Sequence, residues 1–108
     1  MPFIDTKELA VWERLPGWRG RSWRSENMSF SHWDFDAHSS IHEHWHPNEE
    51  VWYVIDGELE MTVNGETQLA GPGSVASVPL DARHAVRALT DGRALVVSHP
   101  IREDAPNG

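Results

Sequence analysis

The 108-residue sequence predicts an all-β domain, a sandwich or barrel of short strands. Three observations predict it. Apolar and polar residues alternate in short runs, as they do on strands with one buried face. Gly, Asn, Asp and Pro punctuate those runs at spacings of roughly ten residues. No helical periodicity falls between them, as a parallel βαβ sheet would require.

The elements follow in chain order. Residues 5 to 14 are the one stretch with the pattern of a short helix, capped by Asp5 or Thr6. "MSFSHWDF" (28–35) alternates as a strand, and so does "EVWYVIDGELEMTV" (50–63), broken at Asp56-Gly57 into a predicted hairpin. Asn64-Gly65 and "GPGS" (71–74) supply further turns. "VASV", "HAVRAL" and "ALVVS" follow as strands, separated by "PLDAR" and "TDGR". No repeat or linker interrupts the chain, so one domain over residues 1–108 is expected, its barrel at about residues 28–100.

Charge and composition narrow the function. Nine Lys+Arg stand against 17 Asp+Glu, a formal charge of -8, so neither nucleic acid nor an anionic membrane is an expected partner. Without cysteine there is no disulfide, thiolate nucleophile or Cys-based zinc site. The N-terminal "MPFIDTKELAVWERL" has no apolar signal core and no 18-residue apolar run occurs, so the expected location is cytoplasmic.

"HEHWHPNEE" (42–50) concentrates metal-ligating groups. On an extended strand His42, His44 and His46 share one face. Same-face neighbours stand roughly 6.6 Å apart along a strand, against metal to nitrogen distances of about 2.1 Å, so two adjacent histidines converge more readily than three. Pro47-Asn48 breaks the strand and would let Glu49 or Glu50 swing back, which favours His44 with His46.

These residues also carry a family resemblance. His44-x-His46-x3-Glu50-x6-Gly57 resembles the first metal motif of the cupin superfamily, and Gly73-x5-Pro79-x4-His84 the second. The glycine expected six residues before the first metal histidine is His38, the Pro-x-Gly glycine is Asp81, and the asparagine four after the last histidine is Ala88. Those changes bear on loop shape more than on ligands. The resemblance implies a double-stranded β-helix, or jelly-roll barrel, with a short N-terminal arm. It also implies a divalent metal held by His44, His46, Glu50 and His84, with Glu49 excluded by its spacing. Three neutral imidazoles and a carboxylate suit Zn, Fe, Mn, Ni or Co, and a six-coordinate ion would keep two positions open. His42 is the histidine the pattern does not require. It stands as a solvent-facing or pocket-wall residue, an additional or alternate ligand, or a proton shuttle.

The tail resembles small cupins that linearise cyclic unsaturated uronates, whose pocket holds an Asp, a Phe and an Arg. The matching positions here are Val96, Ser98 and Arg102, so only the arginine is kept. Without that acid, His42, His99 or Asp104 would have to supply the proton, and Arg102 would suit a substrate carboxylate or enolate. The overall acidity disfavours an anionic uronate unless Arg102 provides a local positive field. Trp52, two residues after Glu50, is expected inside the cavity, and Trp12, Trp18 and Trp23 in the core or at a dimer interface. Arg83 and Arg87 should face out, opposite to His84. The resemblance further implies a homodimer.

The favoured function is non-redox metalloenzyme chemistry on a carbonyl- or enol-containing small molecule, such as a sugar derivative or polyketone: isomerisation, cyclisation or dehydration. The alternatives are an Fe(II) dioxygenase and a non-catalytic cupin that binds a small ligand.

Overall fold

A computed structural model describes residues 2–102. Ten strands run in order: β1 (Trp12–Leu15), β2 (Trp18–Arg24), β3 (Ser29–Phe35), β4 (Ser40–His44), β5 (Glu49–Asp56), β6 (Leu59–Val63), β7 (Glu66–Ala70), β8 (Val75–Val78), β9 (His84–Ala88) and β10 (Gly92–His99). They form a six-stranded sheet, β1-β2-β3-β10-β5-β8, and a four-stranded sheet, β4-β9-β6-β7, antiparallel throughout.

One core joins the two sheets. Trp18, Trp33, Phe35, Trp52, Val54 and Val96 enter it from the first, and Ile41, Leu59, Met61, Val86 and Ala88 from the second. The aromatic payload lies mostly on the six-stranded sheet, where Trp18 meets Trp33, Phe35 and Trp52 at centroid distances of 6.3, 5.1 and 6.1 Å. Gly20 makes this packing possible: a Cβ there would stand 2.6 Å from the Trp33 ring.

Two expectations are corrected. The helix over residues 5 to 14 is only a 3-10 turn, Thr6–Glu8, with the Asp5 side chain accepting from the Lys7 backbone N–H. Trp12–Leu15 is a strand instead, because the half-buried Trp12 packs against Trp33 at a centroid distance of 5.2 Å, and that tertiary contact outweighs a weak helical propensity. The second correction concerns Asp56-Gly57. It is not a hairpin, since β5 pairs with β8 and β10 while β6 pairs with β7 and β9, so this turn carries the chain from one sheet to the other. Gly57 has φ +82°, and a Cβ there would lie 2.3 Å from the Asp91 carbonyl oxygen. The hairpin lies one turn later, at Asn64-Gly65, where φ values of 50° and 82° suit the right-handed strand twist.

His38 (φ 69°) and Asp81 (φ 62°) occupy the two loop positions where the motif expects glycine. Both adopt the left-handed conformation glycine would supply, so the loops keep their shape without it.

Candidate metal centre

His44 lies opposite His84 in the β4–β9 ladder, with ring centroids 4.2 Å apart. A β-bulge puts it there. Between Ile41 and His44 the register gains one residue on β4, so Ile41 and His44 both face the interior. His46 follows on the connection to β5, its carbonyl accepting from the Asp81 backbone N–H at 3.2 Å. Glu50 comes from the opposite sheet, with Ser98 as its register partner on β10.

Hydrogen bonds fix how two of the rings are presented. Nδ1 of His44 bonds the His42 carbonyl at 2.9 Å, and Nδ1 of His84 the Ala82 carbonyl at 2.8 Å. A carbonyl only accepts, so each Nδ1 carries the hydrogen and each Nε2 keeps its lone pair. One ligand nitrogen each from His44, His46 and His84 lies within 4.8 Å of the other two. The Nε2 atoms of His46 and His84 are buried and make no hydrogen bond. That is costly for polar atoms unless something else occupies their lone pairs.

Glu50 sits beside this cluster, 3% exposed. Its Oε2 is 3.1 Å from His46 Nε2 and its Oε1 3.6 Å from His84 Nε2, ion-pair distances without hydrogen-bond geometry. Two ligands of one ion at about 2.1 Å would themselves be separated by about 3.0 to 3.4 Å. The Trp52 indole N–H donates to Oε1 at 2.7 Å, while the Ser98 hydroxyl and Arg102 each approach Oε2 at 3.3 Å. Burial opposes ionisation of Glu50, but its contacts with His46 and His84, the positive field of His46 and the Trp52 N–H outweigh it and hold the carboxyl well below the usual range. Burial first, with the charges of His84 and Arg14, pushes the His44 imidazole down to about 4, against a backbone hydrogen bond and Glu50 that favour protonation. For His84 burial is overcome by Glu50 and the Ala82 carbonyl, and its pKa rises.

The comparisons with known proteins now bear on this geometry. A family model described as a cupin domain matches residues 31–100. The chain belongs to the cupin family. Among its relatives, a Streptomyces coelicolor protein of uncharacterized function is 35% identical over 78 residues, covering 71% of this cupin and 74% of the relative. The polyketide synthase CurC of Streptomyces cyaneus is 40% identical over 60 residues, 55% of this cupin but only 39% of that protein's length. Two solved structures share the fold at 22% identity. An RmlC-like cupin from Shewanella frigidimarina superposes with TM-score 0.90, covering 96% of this chain and 95% of that one. KdgF from Halomonas sp. superposes at 0.89, covering 96% and 97%.

The cupin's interior cavity, about 40 Å³, is lined by Trp12, Trp33 and Trp52 and by Arg14, His44, Glu50 and Arg102. An outer groove of about 560 Å³ continues from it across His44, Trp45, His46 and Pro47, and shares Arg14 and Arg102. Trp52 and Arg102 line the cavity, and so do Val96 and Ser98. His42 and His99 do not. The bulge turns His42 outward, so alternation fails where it predicted a common face, and His42 is exposed. His99 follows the inward Ser98 on β10 and is exposed beside Glu49. Neither lines the cavity or the groove. Asp104 lies outside the described residues. Arg83 and Arg87 are exposed, as alternation requires.

Sequence reasoning missed Arg14, Trp33 and Asn48. Arg14 was masked by the helical reading of its segment. Asn48 is 5% exposed, and its amide donates to the Pro100 carbonyl at 2.6 Å, tying the histidine segment to the one that carries Arg102. Pro47-Asn48 was legible as a bend, but no local pattern encodes that distant partner.

Proposed function

We propose that this cupin is a metal-dependent enzyme acting without redox change on a small carbonyl- or enol-containing molecule. His44, His46 and His84 would hold one divalent ion, Zn, Fe, Mn, Ni or Co, with Glu50 as the fourth ligand. One observation carries this reading: buried imidazole nitrogens converge without hydrogen-bond partners, two rings being oriented through Nδ1. When bound, such an ion supplies Lewis acidity toward a carbonyl or enol oxygen.

The chain's own residues do the rest. Trp12, Trp33 and Trp52 narrow the cavity and give it apolar walls. Trp52, Ser98 and Arg102 hold the Glu50 carboxylate in one orientation beside the histidines. Substrate enters by the outer groove, and the reacting group alone fits the inner cavity. Likeness to KdgF suggests a cyclic uronate and likeness to CurC a polyketone; Val96 and Ser98, where the uronate cupins carry Asp and Phe, weigh against the uronate reaction by the same route.

Among the described cavity-lining residues no imidazole or carboxylate lies outside the proposed ligand set, so none of these is assigned the transferred proton. The same observation favours a second reading, an Fe(II) dioxygenase, which needs no protein acid or base. Elemental analysis of untagged protein, with oxygen uptake measured on iron-loaded samples, tests both. The expected result is one ion per chain, lost in His84→Ala, and no oxygen uptake in the presence of substrate. Metal retained unchanged in His84→Ala overturns the site, and iron-dependent oxygen uptake overturns the non-redox reading in favour of the second.

A further inference from the structure

Trp45 is a large apolar side chain at the mouth of the candidate metal centre, and the chemistry above gives it no role. It stands in the chain between two ligand candidates, and strand alternation would turn it away from both. β4 ends at His44, however, so alternation stops there, and Trp45 lines the outer groove together with His44 and His46. Two contacts pin its loop: the His46 carbonyl accepts from the Asp81 backbone N–H at 3.2 Å, and the Asn48 amide donates to the Pro100 carbonyl at 2.6 Å. An indole that is 54% exposed thus stands on a fixed backbone.

Its neighbours in the groove add apolar surface. Pro47 and Pro100 are exposed and Ile101 is half-buried, and all three line the groove with Trp45. Contiguous exposed apolar surface is unfavourable in water until something covers it, and it marks binding grooves. The hydroxyls of the adjoining cavity, by contrast, are already bonded within the protein. Ser29 accepts from the Arg102 backbone N–H at 2.8 Å, Ser31 shares a hydrogen bond with Ser22 at 3.0 Å, and Ser98 donates to Glu50 at 3.3 Å. The indole N–H groups of Trp12 and Trp52 donate to Ser22 and Glu50 at 3.2 and 2.7 Å. A ring carrying many hydroxyls would lose its water here and find few partners, and each hydroxyl left unpaired lowers affinity by roughly fivefold or more. A flat, unsaturated ring needs no such partners and offers its face to an indole.

We propose that Trp45 is the stacking platform for the body of the substrate in the outer groove, and that it selects a flat, unsaturated ring over a polyhydroxylated one. This rests on the metalloenzyme reading and adds to it the shape of the substrate and the residue that reads it. The volumes agree with this division. An inner space of about 40 Å³ holds about three water-sized groups, enough for an oxo or enol group, while the groove of about 560 Å³ takes the ring. Because Trp45 stands between His44 and His46, the loop that places the platform is the one that places these histidines. Trp45 is thereby a specificity-determining residue rather than a ligand or a core side chain.

The test is calorimetric titration of 2-naphthol, of its saturated counterpart decahydro-2-naphthol and of methyl glucopyranoside into zinc-loaded, untagged protein. The parent should bind 2-naphthol roughly three- to tenfold more tightly than the saturated alcohol, the range that ring stacking supplies, and the glucoside more weakly than either. Trp45→Leu, which keeps an apolar side chain but no ring face, should lose the preference for 2-naphthol, and Trp45→Phe should retain part of it. Tyr53→Leu, which removes an exposed ring outside the cavity and the groove, should match the parent. Zinc content should be the same in all four proteins. Absence of 2-naphthol binding in the parent, an unchanged preference in Trp45→Leu, or glucoside binding as tight as that of 2-naphthol overturns the proposal even if zinc is held as expected. Trp45-dependent preference for 2-naphthol in a protein that holds no zinc keeps the platform and overturns the metalloenzyme reading instead.

Discussion

The His42 carbonyl accepts a hydrogen bond from Nδ1 of His44 at 2.9 Å, while the His42 side chain points to solvent. A residue that looked like a candidate ligand thus acts through its backbone, by orienting the imidazole two positions on. The first prediction follows directly. His42→Ala should keep its full metal content by elemental analysis, since alanine supplies the same carbonyl, whereas loss of the ion would make the His42 ring a ligand.

Acid stability of the metal-free protein is the second. The folded-state pKa of His44 lies at about 4, below its ordinary 6.5, so the unfolded chain binds more protons between these values. His44 therefore stabilises the fold fully above pH 6.5, and this contribution is lost as pH falls through 4. Glu50, also depressed, adds its loss below its ordinary value of 4.5. His84, raised, works in the other direction and loses its contribution as pH rises above 6.5. Urea midpoints of chelator-treated protein should fall on acidification from pH 6.5, less steeply in His44→Gln. A slope in His44→Gln equal to the parent's would remove His44 from this account.

The third prediction concerns His38, a non-glycine residue at φ 69°. A β-branched side chain is strongly disfavoured there, so His38→Val should lower stability by about 1 kcal/mol or more, while His38→Gly should not lower it. Urea denaturation distinguishes the two; equal midpoints for both variants would mean that the loop is not held in this conformation.

Asn48→Ala is the fourth. Removing the amide leaves the Pro100 carbonyl without this donor and should cost about 1 to 3 kcal/mol. It should also weaken metal affinity, because the histidine segment is no longer tied to the one whose Arg102 holds Glu50. Unchanged stability and affinity together would show that the contact has no such role.

These residues show what a sequence can and cannot carry. The strands after residue 28 were legible because each alternates and ends at a turn residue, and the ligand candidates because their spacing resembles a known pattern. The common face of His42 with His44 and His46 fails because a bulge adds one residue to β4, and a one-residue slip reverses every inward and outward assignment beyond it. Asp56-Gly57 has the chemistry of a hairpin turn, yet local residues do not say whether the next strand rejoins the same sheet. Arg14 was hidden for a related reason: Trp12 packs over Gly20 onto Trp33, two strands away in the same sheet, and that non-local contact makes its segment a strand. Information that lies in pairing partners is absent from the local pattern.

The central claim is that His44, His46 and His84 converge on one ion, and zinc K-edge X-ray absorption on untagged, zinc-loaded protein tests it most directly. The predicted spectrum has three imidazole scatterers, unchanged in His42→Ala, with the ion lost or one imidazole missing in His84→Ala. Fewer than three imidazoles in the parent, or three retained in His84→Ala, would contradict it.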